Sequence, residues 1–98
     1  MKEKEYRASR LMRELGAPIR YQIVKFLEGG PKTVSQIAAH VDRTIATVSH
    51  HLHILRAIDV VRYDTSKRNV IYRLKATMVP ALLAVAERCA AKLEIKRK

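Results

Sequence analysis

Ninety-eight residues suffice for one small domain, whose modest core would gain from a partner subunit. Twenty Lys and Arg against nine Asp and Glu give a formal charge of +11 on a chain that is 48% apolar, which points to a folded protein with a polyanionic partner: nucleic acid first, an anionic membrane second. A lone cysteine excludes an intrachain disulfide and a thiol cluster for zinc, and no apolar run approaches the ~18 residues of a membrane span.

The charged start MKEKEYRASR has no apolar stretch behind it, so no secretory leader is expected, and the expected setting is a bacterial or archaeal cytoplasm. Across residues 3 to 15, Ala8, Leu11, Met12 and Leu15 recur at helical spacing, which predicts a one-sided helix with Lys4, Arg7, Arg10 and Arg13 opposite. Gly16 ends it. Pro18 suits the first turn of a second helix, expected from about Ile19 to Glu28, with Ile19, Ile23, Phe26 and Leu27 inward. Gly29-Gly30-Pro31 stops that helix. Thr33-Val34 reads as extended. Ser35 is the expected cap of a helix from Gln36 to Val41, with Ile37, Ala38 and Val41 inside.

The next stretch, TIATVSHHLHILR from Thr44 to Arg56, organises the chain. Ile45, Val48, Leu52 and Leu55 recur at spacings of 3, 4 and 3, so they line one side of a helix. The other side carries Ala46, Thr47, Ser49, His50 and His53, whose hydroxyls and imidazoles can hydrogen-bond base edges or phosphates. Thr44 is the expected N-cap. A short helix, a polar turn at Asp42-Arg43 and a second helix with a small-polar outer face make a helix-turn-helix. Taken alone, an ordinary amphipathic helix fits this stretch about equally well. The rest of the chain decides between them.

Val60 to Asp64 and Val70 to Leu74 switch to a period of two, which predicts a hairpin. Val70, Tyr72 and Leu74 fall on one face, Ile71 and Arg73 on the other. The loop Thr65-Ser66-Lys67-Arg68-Asn69 has adjacent cations at its tip and no glycine, so Asn69 or Ser66 is expected to take any left-handed position. A hairpin after such a helix is a wing, and its tip can reach a phosphate or the minor groove. The last helix is expected to begin near Thr77, with Pro80 in its first turn, and to run to about residue 95. Its apolar residues, among them Leu82, Val85 and Cys89, nearly encircle it. A domain this small covers one side, so a second copy is expected on the other.

With these elements in order, the chain resembles the ArsR family of winged-helix repressors. LGAPIRYQIVKFL (Leu15 to Leu27), TVSQIAAHV (Thr33 to Val41), TVSHHLHILRAIDVV (Thr47 to Val61) and VIYRL (Val70 to Leu74) carry the resemblance, which spans about residues 8 to 95. It implies a mainly α (α+β) winged helix-turn-helix: four helices, a β-hairpin wing and a fifth helix in one domain, 1–98. The helix-turn-helix would lie at about 35–57, the wing at about 60–74 and the dimerisation helices at about 3–15 and 77–95. The homodimer would be joined by the first and last helices, with Leu11, Leu82, Val85 and Cys89 at the interface. Two recognition helices would then enter successive major grooves of a partly palindromic double-stranded operator.

By matching positions, Val34, Ile45, Ala46, Ser49 and His50 would face bases, and Thr44, Thr47, His53, Lys67 and Arg68 phosphates. The chain departs from the pattern at Ile45 and Ala46, where family members often carry glutamine and serine; both residues can touch thymine methyls instead. Arg20 matches the signature arginine and is read as an internal salt bridge in preference to a phosphate contact. The family's metal sites are expected to be absent. Thr33 and Ser35 stand where one site has cysteines, and the last helix has no histidine, only Glu87 and Cys89. Cys89 is read as inert packing in preference to a link with its counterpart in a second subunit. His51 is expected to be a hydrogen-bonded structural residue, and His40 to sit favourably at a helix end.

No catalytic cluster or phosphate loop is evident, and Ser49-His50 are neighbours pointing about 100° apart, so no enzyme is expected. No cofactor is expected either, and an effector, if there is one, is not legible. The leading expectation is a dimeric, sequence-specific repressor. The alternatives are an architectural protein coating double-stranded DNA with low sequence preference, and an interaction module that has kept the shape and lost DNA binding.

Overall fold

The computed structural model describes all residues, Met1–Lys98. Helix α1 spans Glu3–Leu15, α2 Pro18–Leu27, α3 Val34–Val41 and α4 Ile45–Ala57. Strand β1 is the pair Lys32–Thr33 between α2 and α3. Strands β2 (Val61–Ser66) and β3 (Asn69–Leu74) form the hairpin, and α5 spans Val79–Ala91. This is the five-helix winged helix-turn-helix expected from the periodicities.

Fifteen buried apolar residues form one core, to which every helix contributes. Ile23 and Val24 of α2, Ile37 of α3, and Val48, Leu52 and Leu55 of α4 are fully enclosed. Val60, Val61 and Tyr72 close the core from the hairpin, and Val79 and Leu83 from α5. At roughly 1.5–3 kcal/mol per buried side chain, this cluster holds the helix-turn-helix rigid behind its exposed surface. No buried side-chain polar atom lacks a partner.

The structure corrects several boundaries. Thr33, not Ser35, caps α3: its hydroxyl accepts from the Gln36 N–H at 3.1 Å, and the Gln36 side chain accepts from the Thr33 N–H at 2.8 Å. Val34 is therefore the first helical residue instead of an extended one. Thr33 also belongs to β1, which pairs antiparallel with β3 and makes the sheet three-stranded, in the order β1-β3-β2. The hairpin loop shrinks to Lys67-Arg68, because Thr65, Ser66 and Asn69 remain in the ladder. The left-handed residue is Lys67, at φ 56°, not Asn69 or Ser66. Val70 is on the period-two face but lies near the tip and stays 37% exposed, whereas Tyr72 is buried. Gly16 closes α1 at φ −75°, right-handed, while Gly30 takes φ 118°, a conformation that needs glycine.

Helix α5 is shorter than expected, Val79–Ala91 in place of 77 to 95, and buries only Val79 and Leu83. Met78, Val85 and Leu93 are exposed. Cys89 is exposed as well, so packing within its own subunit does not account for it.

Candidate nucleic-acid interface

Helix α4 starts where Thr44 stops the preceding turn. The Thr44 hydroxyl accepts from the Thr47 N–H at 3.1 Å, and the two hydroxyls lie 3.0 Å apart. The cap thus fixes the angle at which α4 leaves α3, assisted by Asp42 in the left-handed conformation at φ 56°. Val48, Leu52 and Leu55 then anchor one side in the core. Ala46, Ser49, His50 and His53 point outward. Ile45 belongs with them: it is 54% exposed, so the apolar stripe read from its spacing is one residue too long.

The start of α3, the outer face of α4 and the wing tip converge on one open cleft of about 280 Å³. Val34, Ile45, Ser49 and Arg68 line it together with Ser35 and Val70. Four sequence-derived candidates, from three separate segments, are thereby brought to one surface. Lys67 lies beside them at the turn. Thr44 and Thr47 sit at the helix start, and Ala46, His50 and His53 on the exposed flank of α4. Thr33, Ser35, Asn69 and Val70, which also line the cleft, were missed. The signal for Ser35 was present: Thr33-x-x-Gln36 is a capping box, which leaves the Ser35 hydroxyl uncommitted.

Arg20 does not reach this surface. Its Nε donates to the Glu14 carbonyl at 2.6 Å, and its Nη2 pairs with the Glu14 carboxylate at 3.3 Å, with both side chains largely covered. Its Nη1 lies 3.0 Å from His51 Nδ1. A guanidinium only donates, so Nδ1 accepts and the neutral ring carries its proton on Nε2. Burial, and then the charges of Arg20 and His50, hold the His51 imidazole below its ordinary value. Both residues are thus structural, tying α2 to the back of α4. His40 stacks on Phe26 with ring centroids 3.9 Å apart.

The chain's ion pairs leave Lys67 and Arg68 without carboxylate partners, while the wing's one acid, Asp64, pairs with Arg73 at 3.4 Å. The cleft rim is therefore cationic, hydroxyl-bearing and apolar by turns.

Residues 17–63 match the family described as bacterial regulatory protein, arsR family. This segment is an ArsR-family helix-turn-helix domain. The HTH-type transcriptional regulator NmtR of Mycobacterium tuberculosis is 33% identical over 72 residues, 74% of this chain and 60% of that protein. The HTH-type transcriptional repressor SmtB of the same species is 42% identical over 69 residues, 68% of this chain and 50% of that protein. The chain thus spans only 50–60% of the length of these relatives. HlyU from Vibrio cholerae superposes with a TM-score of 0.82 at 23% identity, covering 94% of this chain and all of that one. A homodimeric winged helix-turn-helix DNA-binding domain from Mycobacterium bovis, described as a possible ArsR-family regulator, superposes at 0.80 with 20% identity, covering 99% of this chain and 97% of that one. Both likenesses are of fold. They match the winged helix-turn-helix that the packing of the ArsR-family domain displays.

Proposed function

We propose that the protein is a dimeric, sequence-specific DNA-binding transcriptional repressor. The observation that carries this reading is the cleft in which the first turn of α3, the face of α4 and the unpaired wing cations meet. Ile45, Ala46 and Val34 offer apolar contacts suited to thymine methyls. Ser49 and His50 offer hydrogen bonds to base edges, and Thr44, Thr47, His53, Lys67 and Arg68 reach phosphates.

The dimer half of the proposal rests on an exposed apolar surface. A second cleft, of about 630 Å³, is lined by nine apolar residues and Asp59, among them Leu11, Met78, Leu82 and Val85. Met78 is 81% exposed and Val85 52% exposed in the single chain. An apolar surface of this kind is covered in a stable soluble assembly, and a second copy covers it symmetrically. The homodimeric description of the M. bovis domain supports the same arrangement. Two copies then offer two copies of α4 to a partly palindromic operator.

The test is competition binding on a duplex selected from genomic fragments. A specific regulator prefers it to random duplex by ~10³-fold or more. His50→Ala is expected to cost ~1–3 kcal/mol on the selected duplex and little on random DNA. Equal affinity for both duplexes would instead favour the architectural reading.

A further inference from the structure

Resting on the DNA-binding reading, a third basic residue outside the cleft has the geometry of a phosphate contact. Arg56, in the last turn of α4, lies with its guanidinium carbon 4.9 Å from the centre of the Tyr63 ring on β2. Its Nη2 lies 3.5 Å from His53 Nδ1. No carboxylate pairs with it. This sets it apart from Arg20, whose charge is spent on Glu14 inside the fold. Tyr63 is in turn held by the neighbouring Tyr72 ring, at 5.5 Å between centroids, and Tyr72 is anchored in the core.

We propose that Arg56 is a DNA-phosphate contact, pre-positioned on the Tyr63 ring, and that it orients His53 as a second donor to the same strand. Ser49, His53 and Arg56 follow one another at spacings of 4 and 3, so they form one exposed row along α4. From Ile45 to Arg56 the axis runs roughly 16 Å, against a major groove about 12 Å wide. When the first turns of α4 lie among base edges, the last turn has therefore passed the groove wall, where the phosphates are. The ring stack removes much of the rotamer freedom a long arginine would lose on binding. Arg56 donates to His53 Nδ1, so the neutral His53 ring carries its proton on Nε2. That N–H is left free to meet a phosphate oxygen.

The test measures affinity for the selected duplex against salt concentration, for wild type, Arg56→Ala, Arg56→Lys, Tyr63→Phe, Tyr63→Leu and Arg56→Ala/Tyr63→Leu. Arg56→Ala should weaken binding roughly 10-fold on selected and random duplex alike. It should also lower the salt slope by about 0.9, the share of one phosphate. Tyr63→Phe keeps the ring and should bind as wild type. Tyr63→Leu should lose several-fold, and nothing further should be lost when it is added to Arg56→Ala. Arg56→Lys keeps a cation at the helix end and should retain thermal stability, yet bind more weakly than wild type because the guanidinium–ring contact is gone. The proposal is overturned if Arg56→Ala keeps the wild-type slope and affinity. Additive losses from Arg56 and Tyr63 would overturn the positioning role of the ring. A wild-type chain with no affinity for any duplex would overturn the DNA-binding reading itself, and this assignment with it.

Discussion

The tie between Arg20, Glu14 and His51 is a polar link behind α4, joining residues up to 31 apart in sequence. The Glu14 side chain is only 15% exposed, so Arg20→Ala leaves a poorly hydrated carboxylate with only the exposed Arg13 as its partner. The expected loss is about 2–3 kcal/mol, read by urea denaturation. The His51 pKa has a consequence of definite sign. Its folded value lies below the ordinary one, so the unfolded chain takes up a proton first as the pH drops. Stability from this site is therefore complete above about pH 6.5 and declines as the pH falls below it. Asp59 and Glu87 are held low by hydrogen bonds from Lys75 and Tyr21, and their contributions fade only in the more acidic carboxylate range. Urea midpoints should thus fall between pH 7.5 and 5.5, and His51→Gln, which keeps an acceptor for Arg20, should flatten that fall. An unchanged slope in His51→Gln would assign the pH dependence to other groups.

Among the elements, the helices were legible because their apolar residues repeat at the helical period and their breaks are marked by Gly16, Pro18, Gly29 and Gly30. What escaped was local hydrogen bonding and the reach of long-range pairing. Ser35 and Thr33 are both good cap residues, and only the reciprocal partner Gln36 singles out Thr33. Strand β1 is two residues long and exists because β3 lies alongside it, a pairing no period within β1 can announce. Ile45 repeats in phase with Val48 and Leu52 but stands one turn too early to be covered. Arg56 drew no reading from the sequence, because its partner Tyr63 lies on another element. The wing turn offers a separable test. Lys67 holds φ 56° without being glycine, so Lys67→Gly should stabilise the fold by roughly 0.5–1 kcal/mol in thermal denaturation. The same substitution removes a cation and should lower the salt slope of DNA binding by up to about 0.9. Stability and affinity moving in the same direction would mean that the turn is strained for another reason or that Lys67 meets no phosphate.

For the whole molecule, one chain cannot cover its own surface. Helix α5 encloses only Val79 and Leu83, while Met78, Val85 and Leu93 stay in solvent. The near-encircling apolar pattern of this helix was readable in advance; which residues its own subunit would cover was not, because that depends on where α1 and Ile58 lie against it. Val85 is the discriminating position: it is half-exposed in the single chain, so Val85→Glu should leave the subunit's own core intact and damage only the proposed contact between copies. The deciding measurement is sedimentation of wild type and Val85→Glu at micromolar concentration, alone and with the selected duplex. The account predicts two wild-type chains in solution and two on each duplex, with Val85→Glu folded, monomeric and weakened by ~10²-fold or more as the linked second contact is lost. A wild-type chain that sediments singly and binds the duplex singly, with Val85→Glu indistinguishable from it, would contradict the account.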